Sequence, residues 1–279
     1  MMTMESRSVF ASLALLLVIT LGLSGCGPED PQSSNKGNSG LHVEKSVSPT
    51  SSPSPCSDAV VRVVILQDKT GSTSSTRTPQ ISEQQINQLI DFIRPCGGEI
   101  AFGLVNENSN ASLRRLRIEV PPTGAPVDPG REGNPIVVRR EQAAYRAAKE
   151  QYVRLVQQWN EESERRVTAF MNEIRPVLGL PATARASDFF GGVQRANLFF
   201  SESDIVWPSP PRKYLVIIGD GIDNVRKRRE PLSAGAQLLL VNGSASIGSL
   251  AELNPKPFEN IDSALRFIVA SEGRGVTGH

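Results

Sequence analysis

Histidine, cysteine and aromatic residues are scarce in this 279-residue chain, which has two histidines, three cysteines and 5% aromatic residues. His42 lies in a Ser- and Pro-rich stretch and His279 is the last residue, so neither is placed for catalysis or zinc binding. A Ser-His-Asp or Cys-His set therefore cannot be assembled. The formal net charge of +1 argues against a dedicated nucleic-acid-binding protein.

Long apolar runs are also scarce, and the longest covers residues 9–21, interrupted by Ser12 and Thr20. This length is too short to span a bilayer but suits the hydrophobic part of a secretory signal peptide, and Arg7 supplies the preceding positive charge. No other apolar run in the sequence approaches the roughly 20 residues that a transmembrane helix needs. We therefore expect export, with residues 1–25 as the signal peptide.

The sequence Leu23-Ser24-Gly25-Cys26 resembles the lipobox of bacterial lipoproteins. The resemblance implies cleavage before Cys26, acylation of its thiol and amine, and a lipid anchor on the extracytoplasmic side of the cell envelope. In enterobacteria, an Asp after the cysteine signals retention in the inner membrane. Gly27 stands at that position, which favours the outer membrane if the host has one.

Residues 26–57 join the lipidated cysteine to a stretch dominated by Ser, Pro, Gly and Asn. Such a stretch buries too little apolar surface to fold, so we expect a disordered tether that reaches about 30 Å. The remaining residues fit one domain over 58–273 and a tail over 274–279.

Cys56 and Cys96 are the cysteines that the lipid does not use. A disulfide between them is reasonable in an oxidising compartment. Cys56 precedes the first predicted strand and Cys96 ends the first predicted helix, and a helix that runs back along its strand would bring the two together. Two free thiols are the alternative.

Apolar patterning predicts strands that alternate with helices. A nearly continuous β-branched run at 59–66 is typical of a strand buried on both faces of a parallel sheet. Further strands are predicted at 99–105, 113–120, 214–218 and 236–241, and helices at 82–93, about 141–174, 187–200 and 261–270. The alternation predicts an α/β fold with an open, doubly wound, mostly parallel sheet and helices on both faces.

The long helix, an insertion over about 139–176, carries an apolar stripe with charged residues elsewhere. We expect this stripe to pack on the domain, and packing against a partner helix is the alternative. The stripe consists of Tyr145, Ala148, Tyr152, Leu155, Trp159, Val167, Phe170 and Ile174.

Polar turns follow two of the predicted strands, and ligands of open α/β sheets bind at the carboxyl ends of strands where the strand order reverses. One turn is Asp68-Lys69-Thr70-Gly71-Ser72 and the other is Asp220-Gly221-Ile222-Asp223-Asn224. A third candidate loop is Ala186-Ser187-Asp188.

These three segments resemble the metal-ion-dependent adhesion site of von Willebrand factor A domains. The D-x-S-x-S motif of that family matches Asp68, Thr70 and Ser72, with Thr in place of the first Ser. A later Thr-Asp pair followed by a Gly-containing helix matches Ser187-Asp188, again with a changed hydroxyl residue, and an Asp-Gly turn after a strand matches Asp220. The resemblance covers residues 58–271 apart from the long helix and implies the same fold class.

The resemblance implies a metal site made of Asp68, Thr70, Ser72, Ser187 and Asp220, with Thr183 as a competing choice for Ser187. Hard cations take oxygen ligands, so it implies Mg²⁺ or Mn²⁺, with Ca²⁺ as a further option. Few carboxylates leave the metal electrophilic, and in the family an acidic residue of a partner protein completes the coordination. The expected function is a membrane-tethered, metal-dependent protein-binding or adhesion module, not an enzyme. A scaffold lipoprotein with an inactive metal site is an alternative.

The two turns also resemble those of haloacid dehalogenase-like and P-type ATPase phosphotransferases, in which an Asp nucleophile in DKTG and a GDGxND turn hold Mg²⁺. Asp68 would then be the nucleophile of a phosphohydrolase. That family has Thr where Ser72 stands and the reverse order of Asp223-Asn224, and the sequence shows no matching lysine motif. Export would also separate the domain from ATP.

The run Arg226-Lys227-Arg228-Arg229 follows the second turn. A run of charges is usually a solvated face, and the alternative is that it lies near the metal and steers acidic partners. We expect the partner to be a protein that offers an acidic residue, whose identity the sequence leaves open, as it does the oligomeric state.

Overall fold

The computed structural model describes residues 60–71, 78–109, 111–202, 207, 209–225, 229–243 and 248–272. The signal peptide, the tether with Cys26 and Cys56, Ser72 and residues 226–228 lie outside this part, so what the sequence predicts for them stays a prediction. Among the described helices, none is both long enough and apolar enough to cross a membrane.

The described strands form one six-stranded sheet with the order β3-β2-β1-β4-β5-β6. All neighbouring strands are parallel except β3, which pairs antiparallel with β2. The strands are β1 Val61–Asp68, β2 Gly98–Val105, β3 Arg114–Ile118, β4 Arg212–Ile218, β5 Ala236–Val241 and β6 Lys256–Phe258. The helices are α1 Glu83–Ile93, α2 Pro135–Leu178, α3 Phe189–Ser201 and α4 Ile261–Ser271. The predicted fold class, an open and mostly parallel α/β sheet, is confirmed.

Hydrophobic cores cover both faces of the sheet. Val61, Val63 and Ile65 of β1 join one core together with α1, α4 and the C-terminal end of α2. The alternate residues Val64 and Leu66 join the other core with α3. Since successive side chains of a strand point to opposite faces, a strand buried on both sides needs an almost unbroken apolar run, which is why residues 59–66 could be recognised.

Arg62 is the charged exception within β1, and it fixes the C-terminal end of α3. Its Nε donates to Glu99 Oε2 at 2.6 Å, and its Nη2 donates to Phe199 O at 2.6 Å. The guanidinium also lies 4.4 Å from the ring centroid of Phe199. A buried charge with these partners is hydrogen-bonded and paired, so it holds α3 on the central strand.

The long helix α2 begins at Pro135, earlier than the predicted start at about 139–141. Asn134 caps it by accepting a hydrogen bond from Ile136 N at 2.9 Å, and a proline at the first helical position needs no donor there. The predicted start followed from the apolar stripe, which begins several residues after this Asn-Pro start signal.

The C-terminal half of α2 packs on the core described above, where Trp159 and Val167 are partly buried against it and the fully packed residues are Phe170, Met171, Ile174 and Val177. Leu155, expected on the same apolar stripe, is 46% exposed, and Ala148 is exposed too. The predicted packing within the chain therefore holds for the end of the helix near the sheet, and the rest of the stripe is only partly covered.

An extended segment runs along the remaining part of α2 in the opposite direction. Trp159 and Tyr152 of α2 donate hydrogen bonds to the carbonyl groups of Glu119 and Pro122. The two donors are about 10 Å apart along the helix, and the two acceptors are about 9 Å apart along the extended segment. The matching lengths explain how side chains of α2 hold this Pro-rich segment at several points. The contacts are Trp159 Nε1 to Glu119 O at 2.9 Å, Tyr152 Oη to Pro122 O at 3.5 Å and Gln142 Nε2 to Asp128 Oδ1 at 2.9 Å.

Cys96 lies in the short 3₁₀ turn Arg94–Cys96 that follows α1, and it is buried and disulfide-bonded. The predicted partner Cys56 lies outside the described residues. The pairing of Cys56 with Cys96 therefore stays a prediction.

Because residues of α2 differ in burial, their truncation should affect the stability of the protein to different extents. Replacing the fully buried Ile174 with Ala should lower the free energy of unfolding by about 2–5 kcal/mol, because it leaves a cavity in the core. The matched change Leu155→Ala, at a half-exposed position of the same helix, should cost less than about 1 kcal/mol. Urea unfolding of the two variants measures both values, and equal losses would contradict the packing of α2 described above.

Candidate functional site

The strand order reverses at β1. The chain passes from β1 to β2 and β3 on one side of the sheet, then returns to β4 on the other side of β1. Open α/β sheets have a crevice at such a point, outside the carboxyl ends of the two strands. Asp68 is the last residue of β1, and Asp220 follows the end of β4. Two of the predicted ligands therefore flank the crevice.

The carboxyl group of Asp68 is fully buried. Its Oδ1 accepts a hydrogen bond from Thr70 N at 2.9 Å, whereas its buried Oδ2 has no hydrogen-bond partner among the described residues. Burial raises the pKa of Asp68 to about 6, hydrogen bonds from Thr70 oppose this rise, and the charge of Asp220 adds to it.

Gly219, at the end of β4, packs directly against this carboxyl group. A Cβ at position 219 would lie 2.8 Å from Asp68 Cβ and 3.0 Å from Phe189 Cζ. Side-chain atoms do not approach that closely, so only glycine lets the β4 turn come so near to Asp68. The Gly-Asp sequence of this turn therefore has a steric role as well as supplying Asp220.

Thr70 and Ser187 bring two hydroxyl groups together beside Asp68. Ser187 Oγ donates to Thr70 Oγ1 at 3.2 Å, and both side chains are buried. Asn224 holds Ser187 in place, since Ser187 N donates to Asn224 Oδ1 at 2.7 Å and Asn224 N donates to Ser187 O at 3.2 Å. Thr183, the competing choice, is exposed. The structure therefore places Ser187 next to Thr70.

Asp188 and Asp223 brace the loops around the site. Asp188 caps α3 by accepting from Gly191 N at 2.9 Å, and its second oxygen accepts from Ser109 N at 3.2 Å. Asp223 Oδ2 accepts from Phe190 N at 2.9 Å. Both carboxylates thus bind backbone amides that would otherwise lack partners at loop and helix ends. Sequence reasoning missed the bracing roles of Asp223 and Asn224, for which the Asx-rich turn was the available signal.

Asp220 is partly exposed, and its Oδ1 accepts from Ile222 N at 2.9 Å. Asp68, Thr70 and Ser187 form one hydrogen-bonded group, because Thr70 bonds both Asp68 and Ser187. Asp220 follows the neighbouring strand β4 at the same edge of the sheet, and its charge adds to the rise of the Asp68 pKa. Three of the five predicted ligands are therefore joined by hydrogen bonds, and a fourth lies at the same edge. The fifth, Ser72, is not among the described residues.

This group is poor in charged ligands. The described residues contain no cluster of three or more His, Cys, Asp or Glu side chains that could hold a metal ion. A metal ion here would instead depend on the hydroxyls of Thr70 and Ser187 and the carboxylates of Asp68 and Asp220, which are oxygen donors of the kind Mg²⁺ and Mn²⁺ accept. The buried Oδ2 of Asp68 is suited to bind such a cation, because a buried carboxylate oxygen that accepts no hydrogen bond is destabilising unless a positive charge contacts it.

Comparison with known proteins gives little further information. No protein-family model and no curated protein matches the chain. Among solved structures it is similar to proximal thread matrix protein 1 from the mussel byssus, at 10% identity and a TM-score of 0.34. The match covers 77% of this chain and 47% of that chain, so this chain spans about half the length of that protein. This similarity is too low to support a conclusion about the chain. The fold class stated above follows from the sheet topology.

The raised pKa of Asp68 predicts how stability depends on pH in the metal-free protein. Because the folded-state pKa of about 6 lies above the ordinary value of 3.8, the folded state holds its proton more tightly than the unfolded state. This contribution to stability is present below pH 3.8 and is lost as pH rises through 6. Above pH 6 the loss amounts to about 3 kcal/mol.

The non-titrating variant Asp68→Asn should therefore gain stability relative to wild type between pH 4 and pH 7.5, by up to about 3 kcal/mol. Urea unfolding with chelator at both pH values measures this gain. A difference between Asp68→Asn and wild type that stays the same at both pH values would contradict the burial of an ionisable Asp68.

Proposed function

We propose that this chain is a membrane-tethered, divalent-metal-dependent protein-binding module outside the cytoplasm, which captures an acidic group of a partner protein on bound Mg²⁺ or Mn²⁺. The observation that carries the proposal is the buried Oδ2 of Asp68, which has no hydrogen-bond partner in the described part of the chain, beside the Thr70–Ser187 hydroxyl pair. The lipobox-like sequence that ends in Cys26 supports the anchor and the location.

The charge balance of the site supports metal binding. Asp68 is largely ionised at neutral pH, since its pKa is about 6, and Asp220 adds a second carboxylate nearby. No described lysine or arginine side chain hydrogen-bonds to Asp68 or Asp220, and none forms an ion pair with either of them. Hydrogen bonds from Thr70 offset only part of the desolvation of Asp68, and a divalent cation would offset more of it.

Two of the proposed metal ligands are hydroxyl groups instead of carboxylates, which supports a binding role for the metal. Thr70 and Ser187 contribute neutral oxygens, so a bound cation would retain positive charge and could act as a Lewis acid towards a carboxylate of the partner. The chain's own part is to hold these oxygens still. Asn224 does this for Ser187, and the Thr70 amide does it for Asp68.

The surface next to the site suits a protein partner. Ile222 and Val225, in the loop that carries Asp220, are 49% and 43% exposed. Apolar side chains beside a polar centre can pack against a partner and exclude water from the contact. In the basic run, Arg229 pairs with Glu252, and its neighbours 226–228 lie outside the described residues. The support for a protein partner therefore comes from the apolar residues more than from the basic run.

The phosphohydrolase alternative has less support. Phosphoryl transfer needs positive groups around the charge that develops on the phosphoryl oxygens. Lys69, the nearest lysine in sequence to Asp68, donates to Leu178 O, Leu180 O and Gln80 Oε1 instead. Hydrolysis of a generic aryl phosphate by the wild type, lost in Asp68→Asn, would support the enzyme and overturn the binding proposal.

Thermal unfolding of the full chain in detergent tests the proposed metal site. At a concentration of Mg²⁺ or Mn²⁺ that is about 100 times the dissociation constant, the melting temperature should rise by roughly 5–10 °C. Asp68→Ala should abolish this rise, because it removes the buried carboxylate. Asp91→Ala, which removes an exposed carboxylate, should leave the rise unchanged. A wild-type protein with no shift at millimolar metal would overturn the proposed site while leaving the fold intact.

A further inference from the structure

Lys69 lies in the centre of the candidate site motif, yet its side chain serves another part of the molecule. The residue is 4% exposed. Its ammonium donates to Leu178 O at 3.0 Å and to Leu180 O at 2.7 Å, and also to the side-chain oxygen of Gln80. An ammonium group has three donors, so all of them are used.

The three acceptors are neutral, which is unusual for a buried cation. The side chain of Lys69 is buried, and no carboxylate among the described residues forms an ion pair with it. Two of the acceptors are carbonyls at the C-terminal end of α2, where helix carbonyls lack partners and the helix dipole is negative. The charge therefore holds the end of the long helix against the loop after β1.

Backbone hydrogen bonds continue this attachment along the chain. Ala184 N donates to Lys69 O at 3.0 Å, and Gly71 N donates to Ala184 O at 2.8 Å. Residues 178–184, which lead from α2 towards Ser187, are thereby attached at two places to the loop that carries Asp68 and Thr70. The side chain of Lys69 forms the first attachment and the backbone pairing at Ala184 forms the second.

We propose that Lys69 is a positioning residue for the candidate metal site, which holds residues 178–184 so that Ser187 meets Thr70. This inference rests on the proposed function. Ser187, whose Oγ lies 3.2 Å from Thr70 Oγ1, follows this segment closely in the chain, and a metal site requires its ligands at fixed positions. The same contacts connect the end of α2 to the site. Binding at the site and ordering of the segment must then favour each other.

The test uses the full chain in detergent and Mn²⁺ as the probe, with free Mn²⁺ measured by electron paramagnetic resonance. Lys69→Met keeps the length and the apolar stem of the side chain but removes all three donors. It should weaken Mn²⁺ binding by about tenfold or more, as loss of groups that orient metal ligands does. It should also speed amide hydrogen exchange in peptides that cover 178–187 in the metal-free protein.

Two further variants keep the result interpretable. Lys149→Met removes an exposed lysine of α2 and should change neither measurement. Gln80→Ala removes one acceptor of the Lys69 ammonium and should cause smaller changes in the same direction, which provides a reading if Lys69→Met fails to fold. Both measurements are compared with the urea midpoint of each variant, so that a general loss of stability is recognised.

Weaker Mn²⁺ binding together with faster exchange at 178–187 would support the proposal. Unchanged or tighter Mn²⁺ binding in Lys69→Met would overturn it, and so would weaker binding with unchanged exchange. If the wild type binds no Mn²⁺, the proposed function fails and the role of Lys69 towards a metal fails with it. In that case, the metal-free exchange still shows separately whether Lys69 holds the segment.

Discussion

The carboxyl group of Asp68 is buried at the end of the central strand, with one oxygen bound to the Thr70 amide and the other bound to nothing in the described part of the chain. Burying an ionisable group in this way works against stability, as the rise of its pKa to about 6 indicates. The neighbouring features depend on it, since Gly219 leaves room for it and Thr70 bonds to it. Sites that sacrifice stability in this way are often functional ones.

The fold brings the remaining oxygens to Asp68 from distant parts of the sequence. β4 lies beside β1 and delivers Asp220, whereas Ser187 arrives after the long helix α2 and just before α3. Arg62 fixes the far end of α3, and Asn224 and Lys69 fix the loops near its start. A candidate site in which two of the four described ligands are neutral hydroxyls depends on such positioning, because weak ligands do not order the loops by themselves.

Much of the fold could be predicted from the sequence, because its signals are local. The β-branched run of β1 and the bounds of β5 follow from apolar patterning. The strand β6 was missed, since three residues that include Pro257 carry too little pattern to recognise. The antiparallel direction of β3 was also beyond reach, because strand direction depends on tertiary pairing with β2.

The site could be predicted only in part, for a related reason. The spacing of Asp68 and Thr70 after a strand is visible in the sequence, and so is the Asp-Gly turn at Asp220. The placement of Ser187 beside Thr70 needed the structure, because Ser187 and Thr183 are both hydroxyl residues in one loop and only three-dimensional contacts distinguish them. The contacts of Lys69 were equally hidden, since its acceptors are main-chain carbonyls more than a hundred residues away.

In the proposed site, Asp68 is one ligand of a metal ion that also contacts Thr70, Ser187 and Asp220. Anomalous X-ray scattering from crystals of the protein soaked in Mn²⁺ tests this proposal most directly. We expect one strong manganese peak among the side-chain oxygens of these four residues. Crystals that take up millimolar Mn²⁺ but show no peak there, or show manganese only elsewhere, would contradict it.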